Sequence, residues 1–106
     1  MNIQEYKQAF LAEARRLTVR ASQALAALRA DATNQREAFE VTRFFHNLKG
    51  SSSVMGYTAV TAVCAEMEDT FQAAVEGGKP AFPTCLSAAE RSFRQIEQAL
   101  KELENA

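Results

Sequence analysis

The feature of this sequence that most limits its fold is a helical spacing of apolar residues, which recurs in four segments. The first segment runs from about Gln4 to Arg29, and its apolar positions are Tyr6, Phe10, Ala14, Leu17, Ala21, Leu25 and Leu28. Alternating steps of three and four place side chains on one face of an α-helix, whereas a half-buried strand alternates at every second residue. This segment is therefore predicted to be a helix with one apolar face, ending at the polar connection 30–33.

A second helix is predicted to begin near Gln35, because the residues around it form a start signal. Asn34 can cap the helix, and Glu37 lies where the side chain of a capping box reaches back. The apolar positions of this segment are Ala38, Val41, Phe45, Leu48, Ser52 and Met55. Gly56 follows them, where helices commonly end in a left-handed turn.

Two more helices are predicted, over Thr58–Glu76 and from about Pro83 or Thr84 to Glu104. The sequence Gly-Gly-Lys-Pro at 77–80 separates them and stops the third helix. Their apolar positions are Val60, Val63, Cys64, Met67, Phe71 and Val75 in the third and Leu86, Ala89, Phe93, Ile96, Leu100 and Leu103 in the fourth. Four such helices with short connections predict an all-α fold, an antiparallel (up-down) four-helix bundle. A length of 106 residues fits one domain spanning 1–106.

Composition and charge exclude several classes of function. Twelve basic residues nearly balance thirteen acidic ones, so neither nucleic-acid binding nor a polybasic membrane patch is expected. No apolar run is long enough for a membrane span, and residues 1–7 lack the apolar core of a signal peptide. We expect a cytoplasmic protein without membrane insertion, in which Cys64 and Cys85 are free thiols.

His46 is the only histidine of the chain, and its surroundings on the second helix are unusual. A lone histidine on a helix is most often an ordinary surface residue, and so is a lysine such as Lys49. Gly50 changes this interpretation, because a glycine inside a helix costs about 1 kcal/mol relative to alanine. One turn after His46, the absence of a side chain gives another protein close access to the imidazole.

The segment from Phe45 to Gly56, with the sequence FHNLKGSSSVMG, resembles the signature of histidine phosphotransfer (HPt) domains. That signature is a histidine, any residue, an apolar residue, Lys-Gly, small residues and a second glycine ten positions after the histidine. The resemblance extends to Glu68, at a position where many members carry a glutamate. The first helix is similar to that of the N-terminal phosphoacceptor domain of the chemotaxis kinase CheA. A free-standing shuttle protein, a kinase domain and the terminal module of a hybrid sensor kinase all remain open.

The resemblance implies roles for four residues. His46, on the second helix, would be the phosphoacceptor and would be phosphorylated on Nε2. Glu68 would orient the ring by accepting a hydrogen bond from its Nδ1, Lys49 would stabilise the charge of the phosphoryl group, and Gly50 would give the partner access.

The resemblance also implies partners: the receiver domain of a response regulator and the catalytic domain of a histidine kinase. Mg²⁺ is expected in the receiver, while this chain is expected to be a monomer without cofactor or metal that does not phosphorylate itself. Docking is expected to use apolar side chains near the histidine. The candidates are Phe44, which is expected to be partly exposed, and Met55 or Tyr57 near the far end of the helix.

Three other interpretations compete with phosphotransfer. The strongest is a non-catalytic helical interaction module with an incidental surface histidine, which leaves Gly50 unexplained. An enzyme with His46 as general base and Glu68 as its orienting residue lacks a nucleophile, because Cys64 falls on the predicted core face. A metal site is disfavoured because a single histidine without clustered carboxylates or cysteines provides too few ligands.

Overall fold

The computed structural model describes residues 2–76 and 83–106 and contains four helices. They are α1 (Ile3–Ala30), α2 (Gln35–Val54), α3 (Thr58–Glu76) and α4 (Pro83–Asn105). Within these ranges there is no strand, and the predicted all-α four-helix bundle is confirmed. The predicted helix stop at 77–80 lies outside the described residues. No helix in the described ranges is both long and apolar enough to cross a membrane.

Asparagine side chains cap the first two helices. The side chain of Asn2 accepts a hydrogen bond from the backbone N–H of Glu5 at 2.9 Å, and that of Asn34 accepts one from the N–H of Glu37 at 3.2 Å. The N–H of Asn34 donates to the carbonyl of Asp31 at 3.2 Å. In the predicted capping box, the N–H of Asn34 would instead donate to the side chain of Glu37. Only the other half of the box, the bond from the N–H of Glu37 to the side chain of Asn34, is present.

The end of α2 is set by Gly56, as its position in the sequence predicts. Gly56 has a φ of +76°, a conformation that L side chains rarely adopt. Its N–H donates to the carbonyl of Ser53 at 3.0 Å, and the N–H of Tyr57 donates to that of Ser52 at 2.9 Å. These two bonds form a Schellman motif, which ends α2 and turns the chain toward α3.

Aromatic residues fill the centre of the bundle. The ring centroid of Phe45 lies 5.6 Å from that of Phe93 and 6.3 Å from that of Phe71. Phe44 packs edge-to-face on Phe93, with ring centroids 5.1 Å apart. The core also includes the buried apolar residues Phe10, Leu11, Ala14, Ala21, Ala24, Leu25, Leu28, Ala38, Val41, Leu48, Val60, Cys64, Met67, Ala89, Ile96 and Leu100. Phe45 thus joins α2 to both α3 and α4 and fixes the rotation of α2 about its own axis.

The structure corrects the predicted core at two aromatic residues. Phe44, expected to be partly exposed, is only 4% exposed, because α2 packs against both α1 and α3 and the Phe44 ring reaches Phe93 of α4. Tyr6, predicted to lie on the apolar face of α1, is 51% exposed. Phe10, one turn later, already packs edge-to-face on Tyr57, so Tyr6 lies beyond the last aromatic contact at this end of α1.

Candidate functional site

His46 lies on the surface of a well-packed helix. Its side chain is 65% exposed, although Phe45 immediately before it is completely buried. One residue rotates the helix by about 100°, which is enough to move a side chain from the core to the solvent. The packing of Phe45 therefore fixes the backbone beneath His46 and leaves the imidazole accessible.

Glu68 on α3 brings His46 and Lys49 together. The glutamate is buried beside the core, and its two carboxylate oxygens face α2. Oε2 is hydrogen-bonded to Nδ1 of His46, and Oε1 accepts a hydrogen bond from Nζ of Lys49. Since an ionised carboxylate only accepts hydrogen bonds, Nδ1 must carry the hydrogen. In a neutral ring, the lone pair that can act as a nucleophile then lies on Nε2.

The charges of Glu68 and Lys49 stabilise each other. The hydrogen bond from Lys49 and the weaker one from His46 lower the pKa of Glu68, against the opposing effect of burial. The same hydrogen bond raises the pKa of Lys49. Both groups are consequently charged at neutral pH, and their opposite charges cancel. The cluster of His46, Lys49 and Glu68 therefore carries no net charge while the imidazole is neutral.

The turn of α2 after His46 has small side chains. A Cβ built on Gly50 meets no atom within 4 Å, so packing within the described bundle does not require a glycine there. Ser52 is completely buried, and its hydroxyl is hydrogen-bonded to that of Thr61 at 2.7 Å. The serine thus joins α2 to α3, as its place on the apolar face predicts, whereas Gly50 opens the surface.

A cavity of about 350 Å³ lies between α2 and α3 and borders His46. Phe39, whose side chain is 56% exposed, and Arg43 line it from α2, and Gln72 and Val75 line it from α3. The sequence analysis gave no role to Phe39 or Arg43. They precede His46 by seven and three positions, which places them on its face of the helix, but that they line a cavity depends on the packing of α3.

The predicted docking residues are not exposed beside the imidazole. Phe44 is buried, and Met55 and Tyr57 are partly buried against the core. Cys64 is also buried, and the loss of solvation raises its pKa to about 12, which keeps the thiol protonated and unreactive. Across residues 2–76 and 83–106 no three or more histidine, cysteine, aspartate or glutamate residues are grouped to hold a metal ion.

Comparison with known proteins places this geometry in a family. The chain is similar in structure to the CheA phosphotransferase domain from Thermotoga maritima, with a TM-score of 0.89, 18% sequence identity and coverage of 97% of both chains. No curated protein compared with it matches in sequence. The model of the Hpt domain family matches residues 5–106, nearly the whole sequence. The chain therefore belongs to the Hpt domain family.

Proposed function

We propose that this Hpt domain carries a phosphoryl group on Nε2 of His46 and exchanges it with an aspartate of a receiver domain. Membership of the family supports histidine phosphotransfer in a phosphorelay as the general function. The observation that carries the assignment to His46 is its contact with Glu68. An exposed imidazole whose Nδ1 is held by a buried carboxylate directs a nucleophilic nitrogen outward.

In the proposed transfer, the phosphoryl group moves from a receiver aspartate to Nε2 of His46. The Nε2 lone pair attacks the phosphorus of the aspartyl phosphate, the bond between phosphorus and the aspartate oxygen breaks, and the aspartate leaves as a carboxylate. The imidazole ring becomes more cationic when the Nε2–phosphorus bond forms, and Glu68 offsets that charge through Nδ1–H. Lys49 offsets the negative charge of Glu68 and of the incoming phosphoryl group. The reverse reaction returns the phosphoryl group to an aspartate.

Other parts of the reaction come from the partner. We propose that a receiver domain supplies the Mg²⁺ that neutralises the phosphoryl oxygens, and that the catalytic domain of a histidine kinase is the source when ATP is the donor. Gly50 allows the partner's surface to approach His46, and the exposed ring of Phe39 provides apolar contact area. We further propose that the domain acts as a monomer in the cytoplasm.

Intact-mass analysis tests this assignment directly. The domain is incubated with a phosphorylated receiver, or with ATP and a CheA-type kinase core, in parallel with His46→Gln. We expect one acid-labile phosphoryl adduct on the wild type and none on the variant, because glutamine lacks the nucleophilic nitrogen. An adduct that persists in His46→Gln contradicts the assignment, and no adduct with donors of either type contradicts the relay function.

A further inference from the structure

A phosphoryl group on His46 brings more negative charge than Lys49 can balance. Such a group carries a charge of about −2 near neutral pH, and Lys49 is already hydrogen-bonded to Glu68. The cluster of His46, Lys49 and Glu68 is neutral before phosphorylation, so it would become anionic afterwards even with Nδ1–H retained on a cationic ring. The arrangement therefore calls for a second cation near Nε2, on the side of the ring away from Glu68.

Arg43 is placed to provide that cation. It precedes His46 by three positions, and residues at this spacing are neighbours on a helix surface. Side chains on a helix lean toward its N-terminus, so the imidazole extends over the turn that contains Arg43. Both residues line the cavity between α2 and α3. A guanidinium group matches the geometry of phosphoryl oxygens because it can donate two parallel hydrogen bonds.

Other groups around this cavity are already engaged or carry no positive charge. The hydroxyl of Thr42 donates to the carbonyl of Ala38 at 3.0 Å, and the amide of Gln72 donates to Glu76 at 3.3 Å. By contrast, the one ion pair of Arg43 within the described residues joins it to Glu40 at 3.9 Å. Arg20 on α1 also pairs with Glu40, at 3.8 Å, so Glu40 keeps a partner when Arg43 moves.

We propose that Arg43 binds the phosphoryl oxygens of phosphorylated His46, while Lys49 remains bound to Glu68. This inference rests on the proposed function and deepens it. Arg43 would leave its long contact with Glu40 and turn toward Nε2, so that phosphorylation moves a guanidinium group from one anion to another. The site would then contain two cations: Lys49, held on the orienting carboxylate, and Arg43, in direct contact with the transferred group.

Phosphoramidate, a small phosphoryl donor, tests the proposal without a partner protein. The bond between phosphorus and its nitrogen breaks, the Nε2–phosphorus bond forms, and ammonia leaves. In ¹⁵N-labelled protein, we expect the Nε–H signal of Arg43, assigned by its absence in Arg43→Lys, to shift when His46 is phosphorylated. The phosphorylation rate should fall about tenfold in Arg43→Gln at low salt, recover partly in Arg43→Lys, and differ less at high salt.

Arg36→Gln is the matched control, because it removes the same charge from an exposed position on α2. Arg36 lies ten residues before His46, about 15 Å along the helix axis, and unlike Arg43 it does not line the cavity that borders His46. In the wild type, the Nε–H signal of Arg36 should not shift when His46 is phosphorylated. The phosphorylation rate of Arg36→Gln should stay close to that of the wild type. Thermal unfolding of Arg43→Gln, Arg43→Lys and Arg36→Gln confirms that all three variants are folded.

The outcomes separate this proposal from the one on which it rests. If His46 is phosphorylated but the Arg43 signal does not move, the direct contact is wrong, even when the rate falls. If Arg43→Gln reacts as fast as Arg36→Gln, the electrostatic role is wrong as well. If the wild type accepts no phosphoryl group on His46 from phosphoramidate, a phosphorylated receiver or a kinase core with ATP, the proposed function itself fails and the role of Arg43 fails with it.

Discussion

The two halves of α2 are built differently although they belong to one continuous helix. The half before His46 contributes the large core side chains Phe44 and Phe45, together with the exposed ring of Phe39. The half after it contributes Leu48 and Ser52 to the interior, and its exposed face carries Gly50 among polar and small residues, with Val54 exposed at its end. The first half therefore holds the helix in the bundle, and the second keeps the surface around Gly50 low. His46 lies at the boundary, where a fixed backbone meets an open surface.

The largest effect we expect concerns the anchoring half. Phe45→Ala should lower the free energy of unfolding by about 3–5 kcal/mol, since truncating a buried aromatic residue removes its packing and leaves a cavity. Urea denaturation measures the loss. In the other half, Ser52→Ala should cost only about 1 kcal/mol, because it removes the hydroxyl's contacts with the Lys49 carbonyl and with Thr61 but leaves no large cavity. Equal losses of unfolding free energy in the two variants would show that the half before His46 does not hold the helix more strongly than the half after it.

The second prediction concerns the carboxylate that holds the imidazole. Glu68→Gln should slow phosphorylation of His46 by phosphoramidate about tenfold, because an amide orients the ring but does not offset its charge. The rate is measured by intact mass, with Glu66→Gln, an exposed position on α3, as the control. A rate equal to that of the control would remove Glu68 from the mechanism.

Glu68 also predicts how stability depends on pH. Its pKa in the folded protein is lowered from the ordinary value of 4.5. Its stabilising contribution is therefore fully present above that value and is lost as the pH falls through the lower, folded pKa. Glu68→Gln should remove this part of the acid dependence of unfolding, whereas Glu66→Gln should retain it. Identical acid profiles for wild type and Glu68→Gln would contradict the shift.

The smallest effect tests the open half. Gly50→Ala should raise the free energy of unfolding by about 0.5–1 kcal/mol, because alanine is the better helix former and its Cβ meets nothing within 4 Å. Gly50→Leu should slow transfer from a receiver severalfold but leave the reaction with phosphoramidate unchanged, since only a protein needs the space. If both donors react more slowly, the glycine serves the chemistry rather than access.

The sequence predicted the parts of this structure that depend on local spacing. Apolar periodicity gave four helices close to their observed bounds, and Gly56 marked the left-handed end of α2. The resemblance to HPt domains led to Glu68, whose contact with His46 joins residues 22 positions apart. No periodicity within one helix could establish that contact, because it depends on how α3 is rotated against α2.

The errors arose where neighbouring helices decide exposure. A single apolar stripe describes a helix that faces one partner, but α2 contacts α1 and α3 and places Phe44 against Phe93 of α4. Phe44 was consequently expected to be partly exposed, and Phe39, which is exposed near His46, received no role. Arg43, three positions before the histidine, also received no role, because only the packing of α3 reveals the cavity that it shares with His46.

The exposure of His46 has a consequence for how long a signal can last. An imidazole that is 65% exposed admits water as readily as it admits a receiver, so a phosphoryl group stored there is subject to hydrolysis from the moment it arrives. On the proposed function, transfer of the phosphoryl group to a receiver then competes with its hydrolysis. The fraction of phosphoryl groups that reaches a receiver depends on how often the receiver meets the domain. A higher concentration of receiver therefore raises the fraction that is transferred before hydrolysis.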